Sequence, residues 1–181
     1  MVVSATEIRL PEWLAALPLP VAPASDATCM RFAVNAAREN VARGTGGPFG
    51  AVIRADSTGE IVSVGVNVVP PTGNPVLHAE TVAISLAAGK LAGGGLTLFT
   101  SCEPCIMCLG ALHWSGIQRI VSAALKADAE AVGFSEGSGT RELRAEMKAR
   151  GVVFEDGLLR DEGAEVLRAF VESGKAIYGP A

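Results

Sequence analysis

The sequence predicts an α/β layer fold in which helices cover a mixed sheet. Short apolar runs bounded by Gly, Pro, Asn and Asp read as strands, and longer segments with apolar residues every three or four positions read as helices. The two kinds alternate along much of the chain.

The elements follow in order. A Pro-rich arm over residues 1–25, with Pro11, Pro18, Pro20 and Pro23, carries one short helical turn around Trp13 and Leu17. Ser25 and Asp26 can cap a helix whose apolar face is Met30, Ala33, Val34, Ala37 and Val41, and Gly44 stops it. The turn Thr45-Gly46-Gly47-Pro48 leads into a strand from Phe49 to Ile53. A second turn, Asp56-Ser57-Thr58-Gly59, joins that strand to another from Ile61 to Val68, which suggests a hairpin. A Pro- and Gly-rich loop precedes a helix from about Val76 to Lys90. A buried-type strand from Leu96 to Thr100, a helix begun by Pro104 and a strand from Ile117 to Ser122 come next. Beyond Lys126 the chain is charged and helix-rich, with helices near 140–150 and 161–174 around a short Val152-Val153-Phe154 strand.

The length of 181 residues fits one domain over 1–181, large enough to bury a core without metal or disulfide staples. A bound metal would therefore serve chemistry. Gly or Pro interrupts every apolar run before it reaches a bilayer span, and the first residues lack the basic start and unbroken apolar run of a signal peptide. Four cysteines in such a chain read as thiols or metal ligands in a reducing, cytoplasmic setting. The formal net charge is -4, and the chain up to Leu125 holds 7 basic and 8 acidic residues, leaving 8 and 11 beyond it. With no basic cluster to displace counterions, this balance argues against nucleic acid and for a small substrate.

The chemistry concentrates in two segments, His78-Ala79-Glu80 and Pro104-Cys105-Ile106-Met107-Cys108, both at helix starts. Cysteines at i and i+3 share a helix face, and the positive end of the helix dipole favours the thiolate a metal needs. His78, Cys105 and Cys108 make three protein ligands, leaving the fourth corner of a zinc tetrahedron for water, whose pKa the metal lowers toward neutrality. Glu80, two residues from His78, can then relay protons. The combination His-x-Glu with Pro-Cys-x-x-Cys marks zinc deaminases acting on bases, with the Glu as acid and base and not as ligand. Cys102 overlaps a second Cys-x-x-Cys with Cys105, but its place at a strand end favours a small buried residue over a fourth ligand, which would close the metal to water. Cys29 reads as core, and His113 as structural.

On these motifs the sequence resembles the cytidine deaminase superfamily, and within it the bacterial guanine deaminases. The resemblance runs from about Gly46 to Glu136. It is carried by Gly47-Pro-Phe-Gly-Ala-Val52, Asn67, His78-Ala-Glu80, the segment from Thr100 to Trp114, and Gly133-Phe-Ser-Glu136. It implies a three-layer cytidine-deaminase-like fold with a five-stranded mixed sheet, one zinc per subunit, and conversion of guanine to xanthine and ammonia. It also implies a homodimer in which C-terminal segments can be exchanged. By the same resemblance Asn67 would hydrogen-bond the base, Phe49 and Trp114 would enclose it, the Ala79 N–H would contact it, and Glu136 would be a second proton carrier beside Glu80. Read from the residues alone, Asn67 could end its strand in a turn, Phe49 and Trp114 could be core, and Glu136 could be solvated surface. The apolar positions Val166, Leu167, Phe170 and Val171 exceed the evident needs of one helix face and add to the expectation of a dimer. The residues leave open another amino-heterocycle, such as the aminotriazine ammeline, a pterin, cytosine or cytidine. They leave open a transfer-RNA adenosine deaminase and a non-enzymatic zinc module as well. Tyr178 stands where the family has a C-terminal tyrosine, without an assigned role.

Overall fold

The computed structural model describes residues 8–179, so the first seven residues of the expected arm lie outside the described residues. Five strands form one sheet in the order β2-β1-β3-β4-β5, with β1 over Gly50–Ala55, β2 over Ile61–Val66, β3 over Leu96–Cys102, β4 over Arg119–Ala124 and β5 over Val153–Asp156. β1 runs antiparallel to β2 and β3, whereas β3, β4 and β5 run parallel to one another, which makes the sheet mixed. Every residue of β3 is buried, as a central strand covered on both faces requires.

Alternation along the strands divides the core in two. Val52, Phe99 and Val121 face α2 (Asp26–Ala42) and α8 (Arg160–Glu172), packing with Met30, Val34, Leu167 and Phe170. Ala51, Ile53, Leu98 and Ile120 point the opposite way, toward α4 (Ala79–Ala87), α5 (Ile106–Ser115) and α7 (Thr140–Ala149). Val166, Leu167 and Phe170 are thus absorbed by the chain's own core, and of the apolar surplus expected on the last helix only Val171 stays exposed.

Ser25 caps α2 as expected, its Oγ accepting the Thr28 N–H at 3.2 Å. Helix α4 starts three residues later than the sequence suggested, because after the short helix α3 (Val69–Thr72) residues 74–77 form a turn in which the Leu77 N–H donates to the Asn74 carbonyl at 3.2 Å; its far end tightens into a 3-10 turn over Ala88–Gly93. The short helix α1 covers Glu12–Ala15, and α6 occupies Lys126–Ala131. Gly65 lets the first turn of α4 press on β2: a Cβ there would lie 2.1 Å from the Ala79 carbonyl oxygen. No helix among the described residues is long and apolar enough to cross a membrane.

Candidate active site and metal centre

Two helix N-termini converge at the end of β3. Here the structure corrects a detail of the sequence reading: Pro104 is not the first helical residue of α5, because Cys105 is its N-cap and Cys108 sits in its first turn. His78 is likewise the N-cap of α4. Neither side chain caps its own helix. Both helix starts forgo a stabilisation of typically about 1 kcal/mol that Ser or Asp would bring, a local cost characteristic of functional positions.

Cys105 Sγ and Cys108 Sγ each lie 3.6 Å from His78 Nδ1. All three potential ligand atoms fall within 4.8 Å of one another. Zinc bonds of about 2.3 Å to sulfur and about 2.0 to 2.1 Å to nitrogen, at a tetrahedral angle, give an N···S edge of about 3.6 Å, so the three atoms are spaced to hold one zinc ion. The Thr81 hydroxyl bonds the His78 carbonyl at 2.9 Å and helps fix the imidazole's carrier. Hydrogen bonding from Cys108 pulls the Cys105 thiol down to about 4, and the same bond raises Cys108 well above its ordinary value. The pair thus concentrates negative charge beside two positive helix ends.

Glu80 is 5% exposed and belongs to the same cluster. Its Oε1 accepts the Thr100 hydroxyl at 3.1 Å and its Oε2 accepts the Cys108 thiol at 3.3 Å. Burial, reinforced by the charge on Cys105, raises its pKa. Glu136 arrives from the loop after α6 and is 8% exposed, which rules out the solvated-surface reading. Burial, then the charges of Cys105 and Glu80, push its carboxyl up to about 8. Its main-chain carbonyl accepts the Ile106 N–H at 3.2 Å, tying the loop to the start of α5. Lys126 Nζ holds the adjacent Gly137 carbonyl at 2.6 Å, while Glu103 accepts the Lys126 N–H at 2.6 Å and pairs with Arg144.

These groups open on a cavity of about 520 Å³ whose lining includes Phe49, His78, Glu80, Cys105, Glu136 and Tyr178. That volume suits a small flat molecule. The Phe49 ring meets Phe134 edge to face at 5.1 Å, and Phe134 in turn meets Tyr178 at 5.5 Å. Asn67 and Ala79 are fully buried and stand outside the lining. Ala79 opens α4, so its N–H is one of the first-turn donors a helix leaves without an internal partner. Asn67 Oδ1 accepts the Val69 N–H at 3.1 Å, while its Nδ2 finds no partner among the described residues.

Trp114 is not brought to the cavity. It is 87% exposed on α5, edge to face with His113 at 5.4 Å. Six residues past Cys108 the helix has turned about 600°, so Trp114 points about 120° away from the ligand direction. His113 accepts from Arg150 at 2.9 Å, the structural role its spacing suggested. Cys102 lies outside the ligand group, its thiol 3.7 Å from the Leu125 carbonyl. The sequence reading left Tyr178 unassigned and passed over Thr100. Tyr178 closes the cavity from the C-terminal segment, and its hydroxyl has no partner among the described residues. A Cβ on Gly47 would come within 1.7 Å of that hydroxyl and 3.0 Å of Asn67 Oδ1, so the bare Gly47 backbone lets both side chains approach.

Residues 23–124 match the family model described as the cytidine and deoxycytidylate deaminase zinc-binding region. The guanine deaminase of Bacillus subtilis (strain 168) is 40% identical over 130 residues, which cover 70% of this chain and 82% of that protein. A solved structure of guanine deaminase from Nitrosomonas europaea superposes with a TM-score of 0.85 at 35% identity, covering 94% of this chain and 98% of the other. Another, a complex with 2,6-diaminopurine, has a TM-score of 0.84 at 35% identity over 96% of both chains.

Proposed function

The chain belongs to the cytidine and deoxycytidylate deaminase zinc-binding family, and from that premise we propose that guanine is the base it deaminates, giving xanthine and ammonia. It is a guanine-deaminase-like zinc hydrolase acting on a C–N bond, with the cytidine deaminase fold. The observation that carries the reading is that His78, Cys105, Glu80 and Glu136 line one aromatic-walled cavity, with the buried Cys108 completing the ligand group behind them.

His78, Cys105 and Cys108 would hold the zinc, which supplies a water acidic enough to attack carbon at neutral pH. Glu80 takes a proton from the attacking water and delivers it to the ring nitrogen beside C2. Its raised pKa suits a group that must both accept and release a proton. The buried Glu136 carboxyl passes a proton to the amine leaving C2, so the C–N bond breaks with ammonia as product, and the proton of the new C2 hydroxyl returns to the Glu136 carboxylate as the C2 carbonyl forms. Phe49 covers one side of the base. Asn67 Nδ2 and the Tyr178 hydroxyl are buried donors without partners among the described residues, and each costs about 1 to 3 kcal/mol until something accepts from it. The carbonyl oxygen and ring nitrogens of a purine are such acceptors, and the Ala79 N–H adds a third donor.

The exposed Trp114 supports a homodimer in which a second copy covers the outer face of α5, since a large aromatic left in water gains by burial. The C-terminal segment reaches the cavity of its own chain through Tyr178.

Ammonia release from guanine, ammeline, cytosine, cytidine and adenine, measured on zinc-replete protein, tests the substrate. Guanine should be turned over fastest. Zinc-loaded protein inactive on guanine overturns the reading.

A further inference from the structure

Asn40 lies in the last turn of α2, is fully buried, and takes no part in the chemistry above. Its Nδ2 donates to the Gly47 carbonyl at 2.9 Å and to the Asn67 carbonyl at 2.8 Å. Because both partners are acceptors, only the amide nitrogen can face them, which fixes the orientation of the side chain. Its Oδ1 then accepts the Thr45 hydroxyl at 2.8 Å, and Thr45 Oγ1 accepts the indole N–H of Trp13 at 3.0 Å. A continuous line of hydrogen bonds therefore runs from the N-terminal arm through Trp13, Thr45 and Asn40 to the backbone of Asn67.

That backbone is held from several sides. The Asn67 carbonyl also accepts the Gly47 N–H at 3.1 Å, and the Asn67 N–H donates to Phe49 at 3.1 Å. Packing reaches the same place independently. Val66 and Val68, the two neighbours of Asn67 in the chain, are buried in a small cluster with Ala36, Leu77 and Val82, and Ile8, Leu10, Trp13 and Leu14 of the arm close it. The Arg43 guanidinium covers the Trp13 ring at 5.7 Å and helps keep the indole in place. With its backbone pinned and its Oδ1 occupied by the Val69 N–H, Asn67 has one polar group left over, the Nδ2 donor.

We propose that Asn40, Thr45 and Trp13 are positioning residues that aim the Asn67 carboxamide at the base, which makes the N-terminal arm part of the framework of the substrate site. The proposal rests on the base-binding role given to Asn67 above. None of the three residues touches the reacting atoms; they act by limiting where Asn67 can go. Small displacements of a binding group are costly, because hydrogen bonds weaken steeply with angle and distance. Asn67 meets the base before and during reaction alike, so the relay acts on binding and leaves the chemical step alone.

Thr45→Val keeps the shape at a half-buried position and removes the hydroxyl, and Trp13→Phe keeps an aromatic ring and removes the N–H. Each should raise KM for guanine about three- to tenfold, the equivalent of one net hydrogen bond, with kcat and zinc content unchanged. In an Asn67→Ala background the same changes should add nothing, since the group they position is gone. A parallel loss in kcat, or an undiminished penalty in that background, refutes the relay. Asn40→Asp is the more drastic probe, but it sets a carboxylate against two carbonyls at the core, so the two surface-side variants decide. Amide hydrogen exchange at Val69 needs no substrate and reports the Asn67 carboxamide directly. Thr45→Val should speed it about tenfold or more relative to amides in β3, and an unchanged rate overturns the proposal. Wild-type protein inactive on guanine sinks the substrate reading, while the exchange result still decides the relay.

Discussion

Replacing Glu136 with Gln removes a buried titrating group while keeping its shape. In the folded chain burial and the neighbouring charges of Cys105 and Glu80 raise the carboxyl from 4.5 to about 8. Between those values the folded chain holds a proton that the unfolded chain has released, so rising pH favours the unfolded state. At about 1.4 kcal/mol per pH unit the loss approaches 5 kcal/mol, an upper bound because a buried carboxylate recruits water and local relaxation. The loss starts above the unfolded value, is complete near pH 8, and vanishes in Glu136→Gln, which neither binds nor releases the proton. Urea unfolding of zinc-stripped wild type and Glu136→Gln measures it, metal being removed because a nearby cation favours the ionised form. Wild type should lose several kcal/mol relative to the variant from about pH 5 to about pH 8. A difference constant to within about 0.5 kcal/mol over that range refutes the electrostatic argument. In the zinc-loaded enzyme the same substitution should lower kcat strongly and move KM little, as expected of a proton needed only as the amine departs. Unchanged kinetics remove Glu136 from the mechanism.

Cys105→Ala should abolish stoichiometric zinc binding, whereas Cys102→Ser should retain it, since Cys102 faces the Leu125 carbonyl instead of His78; metal analysis showing equal loss in both contradicts the ligand assignment. Glu80→Gln should keep zinc and fold but lose about a hundred- to ten-thousand-fold in kcat, because an amide fills the same space without the basicity. Activity within about threefold of wild type would acquit Glu80. Light scattering should find a homodimer, and Trp114→Asp should shift it toward monomer without changing zinc content; a wild-type monomer at working concentrations ends that proposal.

The alternation of strands and helices, the capped helix after Ser25 and the proposed zinc ligands were legible in the sequence, because each depends on residues a few positions apart. Cys105 and Cys108 share a helix face by spacing alone, and a His-x-Glu pair beside a helix start is a local pattern. Helix starts were placed less well. Whether Pro104 or Ile106 begins α5 depends on how β3 hands the chain over, and a residue's tolerance for the first turn does not decide it. Glu136 could be read only through resemblance, since an acid in a charged tail is usually solvated; what buries it is a loop held by Lys126 and by the start of α5.

Helical phase counted from Cys108 already turns Trp114 from the ligands, so its outward direction followed from local spacing and the resemblance to relatives overrode it. Two outcomes belonged to tertiary structure alone. Tyr178, more than a hundred residues from Asn67, closes on the same glycine because α8 spends its apolar face on the sheet and sends the tail back across the cavity. Asn40 reads as an unremarkable polar residue within an amphipathic helix, and only the fold sets two carbonyls and a threonine hydroxyl around it. A sequence specifies ligand chemistry through side-chain type and local period, but a hydrogen bond between residues 27 apart exists only once packing has paid the entropy of bringing them together.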